Sequence, residues 1–254
     1  MTATVTRAHL AESLKTLNLS GMLDTLDARL TQAAAGDLGF TDFLQALCLD
    51  EINRRANTKL ARLTKAARFT NPAATLETFD MNADPGIPAA AIRDLASLEW
   101  LDTGHLIITG AVGAGKTHLA TGLGHQALRR QHTVRFTTCS RMLADLAGGH
   151  ADRTWDKRLA TYTRPDLLII DDWAMRDLTS PQADDLYELV TERTTGHNHP
   201  IIITTNRTPD QWYDLFPNPI VAESLLDRLL NNAIHLRIDA TSYRARQRPR
   251  PPAQ

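Results

Sequence analysis

Residues 110–117 constrain what this chain can fold into more than any other part of the sequence. They read GAVGAGKT, which fits the pattern G-x-x-x-x-G-K-[ST], and they stand between the β-rich run LIIT (106–109) and a helical pattern. In such a loop, glycines let successive backbone N–H groups turn toward one point, and the start of the next helix adds positive potential. The segment therefore predicts a phosphate-binding loop at a strand-to-helix junction.

The ligands that this loop predicts are ATP and Mg²⁺. Lys116 is expected to meet the β- and γ-phosphates, and the Thr117 hydroxyl is expected to bind Mg²⁺. A glycine-rich turn that carries a solvated lysine is the alternative interpretation. The residues expected to line the nucleotide site are Gly110, Gly113, Ala114, Gly115, Lys116, Thr117 and His118.

From about residue 105, short β-rich runs alternate with longer amphipathic segments. The runs are LIIT (106–109), TVRFTT (133–138), DLLIID (166–171), PIIITT (200–205) and AIHLRI (233–238). This alternation is typical of an α/β domain with a largely parallel sheet. Residues 1 to about 70 instead place apolar side chains at helical spacing, as in Leu10, Leu14 and Leu17, which predicts an all-helical region.

The segment 71–88, NPAATLETFDMNADPGIP, separates these two textures and has the composition of a linker or an extended arm. We therefore expect a helical N-terminal domain at residues 1–72, a linker at 73–90 and the α/β domain at 91–242. The tail 243–254 carries four arginines, three prolines and no acid, so it is expected to fray beyond the last strand.

Two acids follow the buried run 167–170, where a second component of a phosphate site belongs. Asp171 is expected to hold Mg²⁺, and Asp172 is placed to polarise an attacking water. Two acids that merely open a surface loop are the alternative. Asn206, which follows PIIITT, is expected to orient water near the γ-phosphate, although turns also favour Asn for local hydrogen bonds.

Arg228 lies near the end of the helical pattern ESLLDRLLNNA, just before the last predicted strand. An arginine suits the charge that develops on a γ-phosphate during transfer, and when a neighbouring subunit supplies it, hydrolysis depends on assembly. On spacing alone, an ordinary surface arginine is the simpler interpretation. The predicted catalytic set is Lys116, Asp171, Asp172, Asn206 and Arg228.

Taken together, these motifs resemble an AAA+ ATPase of the initiator and helicase-loader group. The phrases LNLSGMLDTLDARL, GAGKTHLATGLG, RPDLLIIDD and LLDRLLNNA resemble IstB-like transposition helper proteins of the IS21 type, which are similar to helicase loaders of the DnaC type. The resemblance covers roughly residues 10 to 245. It implies an AAA+ P-loop NTPase core, with a five-stranded parallel sheet flanked by helices, behind a small helical domain.

The resemblance also implies a function and residue roles. In that family, ATP promotes homo-oligomerisation on double-stranded DNA, and the assembly stimulates an IstA-like DDE transposase. The implied roles are Walker A for residues 110–117, Walker B for Asp171 and Asp172, sensor 1 for Asn206 and the arginine finger for Arg228, while Arg244 is expected near nucleotide. The family often has Glu where this chain has Asp172, which predicts slow hydrolysis.

Residues 52–68, INRRANTKLARLTKAAR, contain six basic residues and no acid. Projected as a helix, they place Ile52, Ala56, Leu60, Leu63 and Ala67 on one stripe, which predicts one buried and one cationic face. The cationic residues are Arg54, Arg55, Lys59, Arg62, Lys65 and Arg68. Such a face suits sequence-independent binding to DNA phosphates, and a solvated face neutralised by neighbouring acids is the alternative.

Composition limits the remaining function classes. No apolar stretch is long enough to span a bilayer and the N-terminus lacks a signal-peptide core, so we expect a cytoplasmic protein without membrane contact. Cys48 and Cys139 match no metal or redox spacing. Three competing functions remain at this point: a helicase loader, a monomeric small-molecule kinase and a nucleotide-bound adaptor without turnover.

Overall fold

The computed structural model describes residues 6–36, 38–195 and 199–242. The chain divides into two compact units, with the division between Arg62 and Leu63. The predicted boundary at residue 72 therefore lies inside the second unit. Among the described residues, no helix is long and apolar enough to cross a membrane.

The first unit is helical, as the spacing of its apolar residues predicts. Helix α1 spans Arg7–Thr16, α2 spans Ser20–Ala34 and α3 spans Phe40–Ala67, so α3 continues past the division between the units. Leu14, Leu26 and Leu47 form the core of the first unit, one from each helix. These three side chains hold the helices together because their packing removes apolar surface from water.

Polar groups add specificity to the packing of α2 on α3. The buried Glu51 carboxylate accepts a hydrogen bond from the Gly21 backbone N–H at 2.6 Å. A Cβ at Gly21 would lie 2.7 Å from the Glu51 Cα, so only glycine allows this close approach. Arg29 forms two hydrogen bonds with the Asp50 carboxylate, at 2.8 and 2.9 Å, and holds the pKa of that carboxyl below its usual range.

One prediction about α3 is wrong. Residues 52–68 are helical as expected up to Ala67, but Ile52 and Ala56 are exposed, and only Leu63 and Ala67 of the predicted apolar stripe are buried. Residues 52–59 are all exposed because the buried contacts with α1 and α2 come from earlier residues of α3, such as Leu47 and Glu51. Apolar periodicity therefore identified the helix without identifying what covers it.

The second unit is built on a parallel sheet of five strands, as predicted. The strands are β1 (His105–Gly110), β2 (Val134–Thr138), β3 (Leu167–Asp171), β4 (Ile201–Thr205) and β5 (Ala233–Ile238). Their order in the sheet is β2-β3-β4-β1-β5, and each neighbouring pair is parallel. Every residue of β3 and β4 is buried, which explains why these runs are continuously apolar rather than alternating.

Helices cover this sheet. They are α4 (Ala89–Leu95), α5 (Lys116–Arg129), α6 (Cys139–Asp152), α7 (Trp155–Thr163), α8 (Ser180–Thr194) and α9 (Pro219–Leu230), with short 3-10 turns at Glu99–Asp102 and Pro209–Leu215. Local sequence sets several helix starts: Asn218 accepts a hydrogen bond from the Ile220 N–H at 2.9 Å, and Thr179 and Gln182 form a capping box at α8.

Arg193 on α8 fixes the loops that lead into two strands. It is fully buried and donates hydrogen bonds to the carbonyl oxygens of Tyr162 at 2.7 Å and Pro200 at 2.8 Å. Because these carbonyls precede β3 and β4, one guanidinium positions the start of both strands. Buried carbonyl groups without a donor are costly, so this is a structural role rather than a reactive one.

The predicted linker does not behave as a spacer. Residues 70–87, which we call the strap, contain no helix or strand, as expected from their composition. Ala74 and Leu76 of the strap are nevertheless buried, and the Leu76 side chain and backbone pack against Gly122 of α5. The strap is therefore part of the second unit, and its packing could not be read from a segment without periodicity.

Candidate functional site

The phosphate-binding loop joins β1 to α5 and depends on glycine at two positions. Gly113 and Gly115 have φ angles of 83° and 93°, in the left-handed region that favours glycine. A Cβ at Gly113 would lie 2.3 Å from the Ser242 Oγ, and one at Gly115 would lie 2.9 Å from the Phe79 ring. Both glycines therefore adopt a backbone conformation that other residues disfavour, and neither position has room for a side chain. The loop ends at the N-terminus of α5, where an anion is favoured.

Lys116 folds back over this loop. Its Nζ donates hydrogen bonds to the carbonyl oxygens of Gly110 and Ala111, both at 2.9 Å. These contacts hold the ammonium group at the mouth of the loop, where phosphate oxygens could replace the carbonyl oxygens as acceptors. The position fits the predicted role of Lys116.

Thr117 and Asp171 meet at the end of β3. The Thr117 Oγ1 donates to the Asp171 carboxylate, with distances of 2.9 and 3.1 Å to its two oxygens. Thr204 on β4 also donates to this carboxylate. Burial raises the pKa of the Asp171 carboxyl, while the hydrogen bonds from Thr204 and Thr117 act in the opposite direction.

This donor set fits Mg²⁺. A hydroxyl and a carboxylate are the hard oxygen ligands that Mg²⁺ prefers, with waters and phosphate oxygens completing its octahedron. In the part of the chain that the structure describes, no group of three His, Cys, Asp or Glu side chains could form a metal cage of its own. A cation here would therefore be held by few protein ligands together with a phosphate.

Asp172 and Asn206 lie beside this pair, after β3 and β4. Both side chains are exposed, and the Asp172 backbone N–H donates to the Thr204 Oγ1 at 3.2 Å. Together with Lys116, Thr117 and Asp171, they line one cavity of about 890 Å³. That volume lies in the range of ligand-binding clefts, so the structure brings five predicted residues to one site able to hold a nucleotide.

Further lining of this cavity comes from the strap, most of which falls in the linker predicted at residues 73–90. Thr70, Asn71, Ala74, Thr78, Phe79 and Ile87 of the strap line it, together with Ala240 and Thr241 beyond β5. Asp84 ties these two segments together by accepting hydrogen bonds from the Thr241 N–H at 3.1 Å and the Thr241 hydroxyl at 2.9 Å. The large apolar residues of the strap, which are Leu76, Phe79, Met81 and Ile87, were the signal that could have revealed this wall.

Arg228 is separate from this cavity. It is half-buried in the last turn of α9, where it donates to the Thr191 Oγ1 at 2.6 Å and lies over the Tyr187 ring, 5.4 Å from the centroid. It is not among the described residues that line the cavity. Arg244 and the tail 243–254 lie outside the described residues.

The six basic residues of the predicted DNA-binding face fall into two groups. Arg54 pairs with Asp24 at 3.1 Å, and Arg55 pairs with Glu51 at 2.5 Å. The others are exposed and take part in no ion pair among the described residues: Lys59, Arg62, Lys65 and Arg68. Neutralisation by neighbouring acids thus applies to the first group, and the second presents its full charge to solvent.

Comparison with known proteins places these features in a family. The model of the family described as IstB-like ATP binding protein matches residues 12–251. An insertion-sequence ATP-binding protein of Mycobacterium tuberculosis is 56% identical over 242 residues, which are 94% of this chain and 95% of the relative. The ATP-binding protein of insertion sequence IS21 from Pseudomonas aeruginosa is 30% identical over 240 residues, 94% of this chain and 88% of the relative.

Solved structures are similar to about two thirds of this chain in fold. The DnaC helicase loader has a TM-score of 0.57 at 20% identity, over 65% of this chain and 97% of that chain. DnaA from Aquifex aeolicus, bound to AMPPCP, has a TM-score of 0.57 at 21% identity, over 68% of this chain and 52% of that chain. These likenesses confirm the predicted AAA+ P-loop fold with its five-stranded parallel sheet.

Proposed function

Because this chain belongs to the family of IstB-like ATP-binding proteins, we propose that it is an ATP-dependent regulator of DNA transposition, which assembles on duplex DNA and stimulates a DDE transposase. The insertion-sequence names of its relatives support transposition rather than helicase loading. The observation that carries the proposal is the convergence of Lys116, Thr117, Asp171, Asp172 and Asn206 on one cavity, with Arg228 outside it.

ATP binding follows from the loop. The N–H groups of residues 113–117 and the N-terminus of α5 bind the phosphates, and Lys116 exchanges its two loop carbonyls for phosphate oxygens. Thr117 and Asp171 hold Mg²⁺, which neutralises phosphate charge when bound. Asp172 and Asn206, exposed at the adjacent strand ends, orient the water that attacks the γ-phosphate.

Arg228 acts on the nucleotide of a neighbouring subunit. Its contacts with Thr191 and Tyr187 hold the guanidinium on its own subunit, at a place that does not line that subunit's cavity. An arginine supplied by a second copy stabilises the charge on the γ-phosphate during transfer. ATP hydrolysis in this arrangement depends on assembly, because bound ATP is hydrolysed only when a neighbouring subunit is present.

DNA binding is assigned to the exposed cations Lys59, Arg62, Lys65 and Arg68. They carry no compensating ion pair among the described residues, so each can release counterions on contact with phosphate. Arg54 and Arg55 are already paired with Asp24 and Glu51 and contribute less. Such contacts favour duplex DNA of any sequence, as a factor that acts at many target sites requires.

The test is the size of the protein, measured by light scattering with and without ATP and duplex DNA, beside its steady-state ATPase rate. We expect a larger assembly when both ligands are present and an ATPase rate that Lys116→Ala abolishes. A strict monomer under all conditions would exclude the assembly and favour a small-molecule kinase. Equal rates for wild type and Lys116→Ala would exclude hydrolysis at this site and favour an adaptor without turnover.

A further inference from the structure

One face of α5 holds the strap. His118, His125 and Arg129 are separated by seven and four residues, so they lie in one row along the helix. The His125 Nε2 lies 3.0 Å from the Pro72 carbonyl oxygen, and Arg129 forms an ion pair with Glu77. His118 contacts the strap at Thr75, so each of the three side chains contacts the strap at a different place.

A glycine in the same row lets the strap approach the helix. A Cβ at Gly122 would lie 2.8 Å from the Leu76 Cδ2 and 2.9 Å from the Leu76 backbone nitrogen. Because backbone cannot yield as a flexible side chain can, a larger residue at this position would push the strap away. The strap is therefore packed directly on the helix that begins at the phosphate-binding loop.

His118 is the one of these three anchors that lines the cavity. Its Nε2 lies 3.0 Å from the Thr75 carbonyl oxygen and 3.0 Å from the Thr78 Oγ1. Its ring meets the Phe79 ring edge to face, with centroids 5.4 Å apart. Phe79 in turn packs against Gly115 of the loop, so one imidazole fixes the strap relative to the phosphate-binding loop.

We propose that His118 is a positioning residue for nucleotide recognition, which holds Thr78 and Phe79 as the wall against which the nucleoside part of ATP packs. The proposal rests on the proposed ATP site. With the triphosphate on the loop and Lys116, the strap side of the cavity is left for base and sugar. His118 then acts through the strap, whereas the sequence predicted a direct contact with the ligand.

The experiment compares the binding of MgATP with that of magnesium tripolyphosphate, which has the phosphates but no nucleoside. Isothermal calorimetry on the full chain gives both dissociation constants. We expect His118→Ala to weaken MgATP binding about tenfold and to leave tripolyphosphate binding within about twofold of wild type. His118→Gln, whose Nε2 can donate to the same carbonyl, is expected to restore most of the ATP affinity.

His125→Ala is the matched control. It removes an equivalent contact between α5 and the strap, but His125 does not line the cavity. We expect it to lower the unfolding temperature while leaving the ratio of the two dissociation constants unchanged. Retained tripolyphosphate binding shows in every variant that the loop is folded.

Four outcomes would overturn the proposal. Equal weakening of both ligands by His118→Ala would show direct contact with the phosphates or general loss of structure. An unchanged ATP affinity, or no recovery with His118→Gln, would show that the contacts with Thr75 and Thr78 do not position the wall. If wild type binds neither ligand, the proposed ATP site itself fails.

Discussion

At the scale of single residues, the backbone conformation of Asp172 restricts which residue can stand at this position. Its φ angle is 55°, in the left-handed region, where Asp and Asn are tolerated better than other residues that carry a Cβ. Glu has no short-range hydrogen bond with which to offset this cost. The φ angle at this position therefore favours Asp over the Glu that the resemblance leads one to expect.

Replacing Asp172 should distinguish the effect of side-chain length from the effect of backbone conformation. We expect Asp172→Glu to lower the free energy of unfolding by about 1 kcal/mol, because Glu is less favoured at this φ angle. We expect it also to raise the ATPase turnover number about tenfold, because the carboxylate then reaches further toward the attacking water. The affinity for ATP should stay within about twofold, and Asp172→Asn should abolish turnover. Steady-state ATPase measurements with saturating duplex DNA check this, and an Asp172→Glu rate below that of wild type would contradict it.

Residue positions near the loop were the most predictable part of the site. The carboxyl ends of parallel strands meet at one edge of a sheet, so Asp171 after β3 and Asn206 after β4 had to lie near the end of β1. The pairing of Arg54 with Asp24 could not be predicted, because it depends on how α2 packs on α3. Sequence alone therefore counted six available cations, whereas four of them take part in no ion pair within the described part of the chain.

At the scale of elements, β1 begins with a histidine that must stay neutral. His105 is 1% exposed, and its Nδ1 accepts a hydrogen bond from the Ile201 backbone N–H on β4 at 3.1 Å. Burial, and secondarily the charge of Arg193, lower the pKa of His105 to about 4. Protonation would turn the acceptor into a second donor facing the Ile201 N–H, so acid should weaken the sheet.

The sign of the pH dependence follows from that shift. Between pH 6.5 and pH 4 the unfolded chain binds a proton at His105 and the folded chain does not, so stability falls as the pH is lowered. From pH 7 to pH 5 the loss is about 2 kcal/mol. Urea unfolding of wild type and of His105→Asn at several pH values measures this loss of stability. Asn keeps a hydrogen-bond acceptor but does not titrate, so parallel pH profiles for the two proteins would contradict the prediction.

Helix α3 yields a prediction about DNA. Changing Lys59, Arg62, Lys65 and Arg68 to Gln should weaken duplex binding on all sequences and reduce the slope of log K against log salt by about 3 to 4. Arg54→Gln with Arg55→Gln should have a smaller effect, since both arginines are already paired. Fluorescence anisotropy at several salt concentrations distinguishes the two variants, and equal effects would contradict the assignment.

The strap marks the limit of prediction at this scale. The five strands were found because each is a buried, β-rich run, and α5 because of its loop and its periodicity. The strap has no periodicity, and its place depends on Gly122 and His118, which lie more than thirty residues further along the chain. A few apolar residues such as Leu76 and Phe79 are weak evidence of packing unless the surface that they contact is known.

At the scale of the whole molecule, the separation of Arg228 from its own cavity makes mixing experiments informative. Lys116→Ala and Arg228→Ala should each be inactive alone. In an equimolar mixture, about one interface in four joins an intact Lys116 to an intact Arg228 if subunits mix at random. We expect ATPase activity to return to about a quarter of the wild-type rate, and no recovery would show that Arg228 does not act between subunits.

The strap also decides where this chain can be cut and rejoined. Helix α3 ends at Ala67 and the cavity wall begins at Thr70, so a fragment that starts at residue 91 would lose that wall and expose the glycine-containing face of α5. A fragment starting at Leu63 would keep the cavity wall, and this face of α5 would stay covered. Exchange of the N-terminal helices between relatives should therefore succeed when the junction falls near the division at Arg62 and Leu63, and fail when it falls at residue 91.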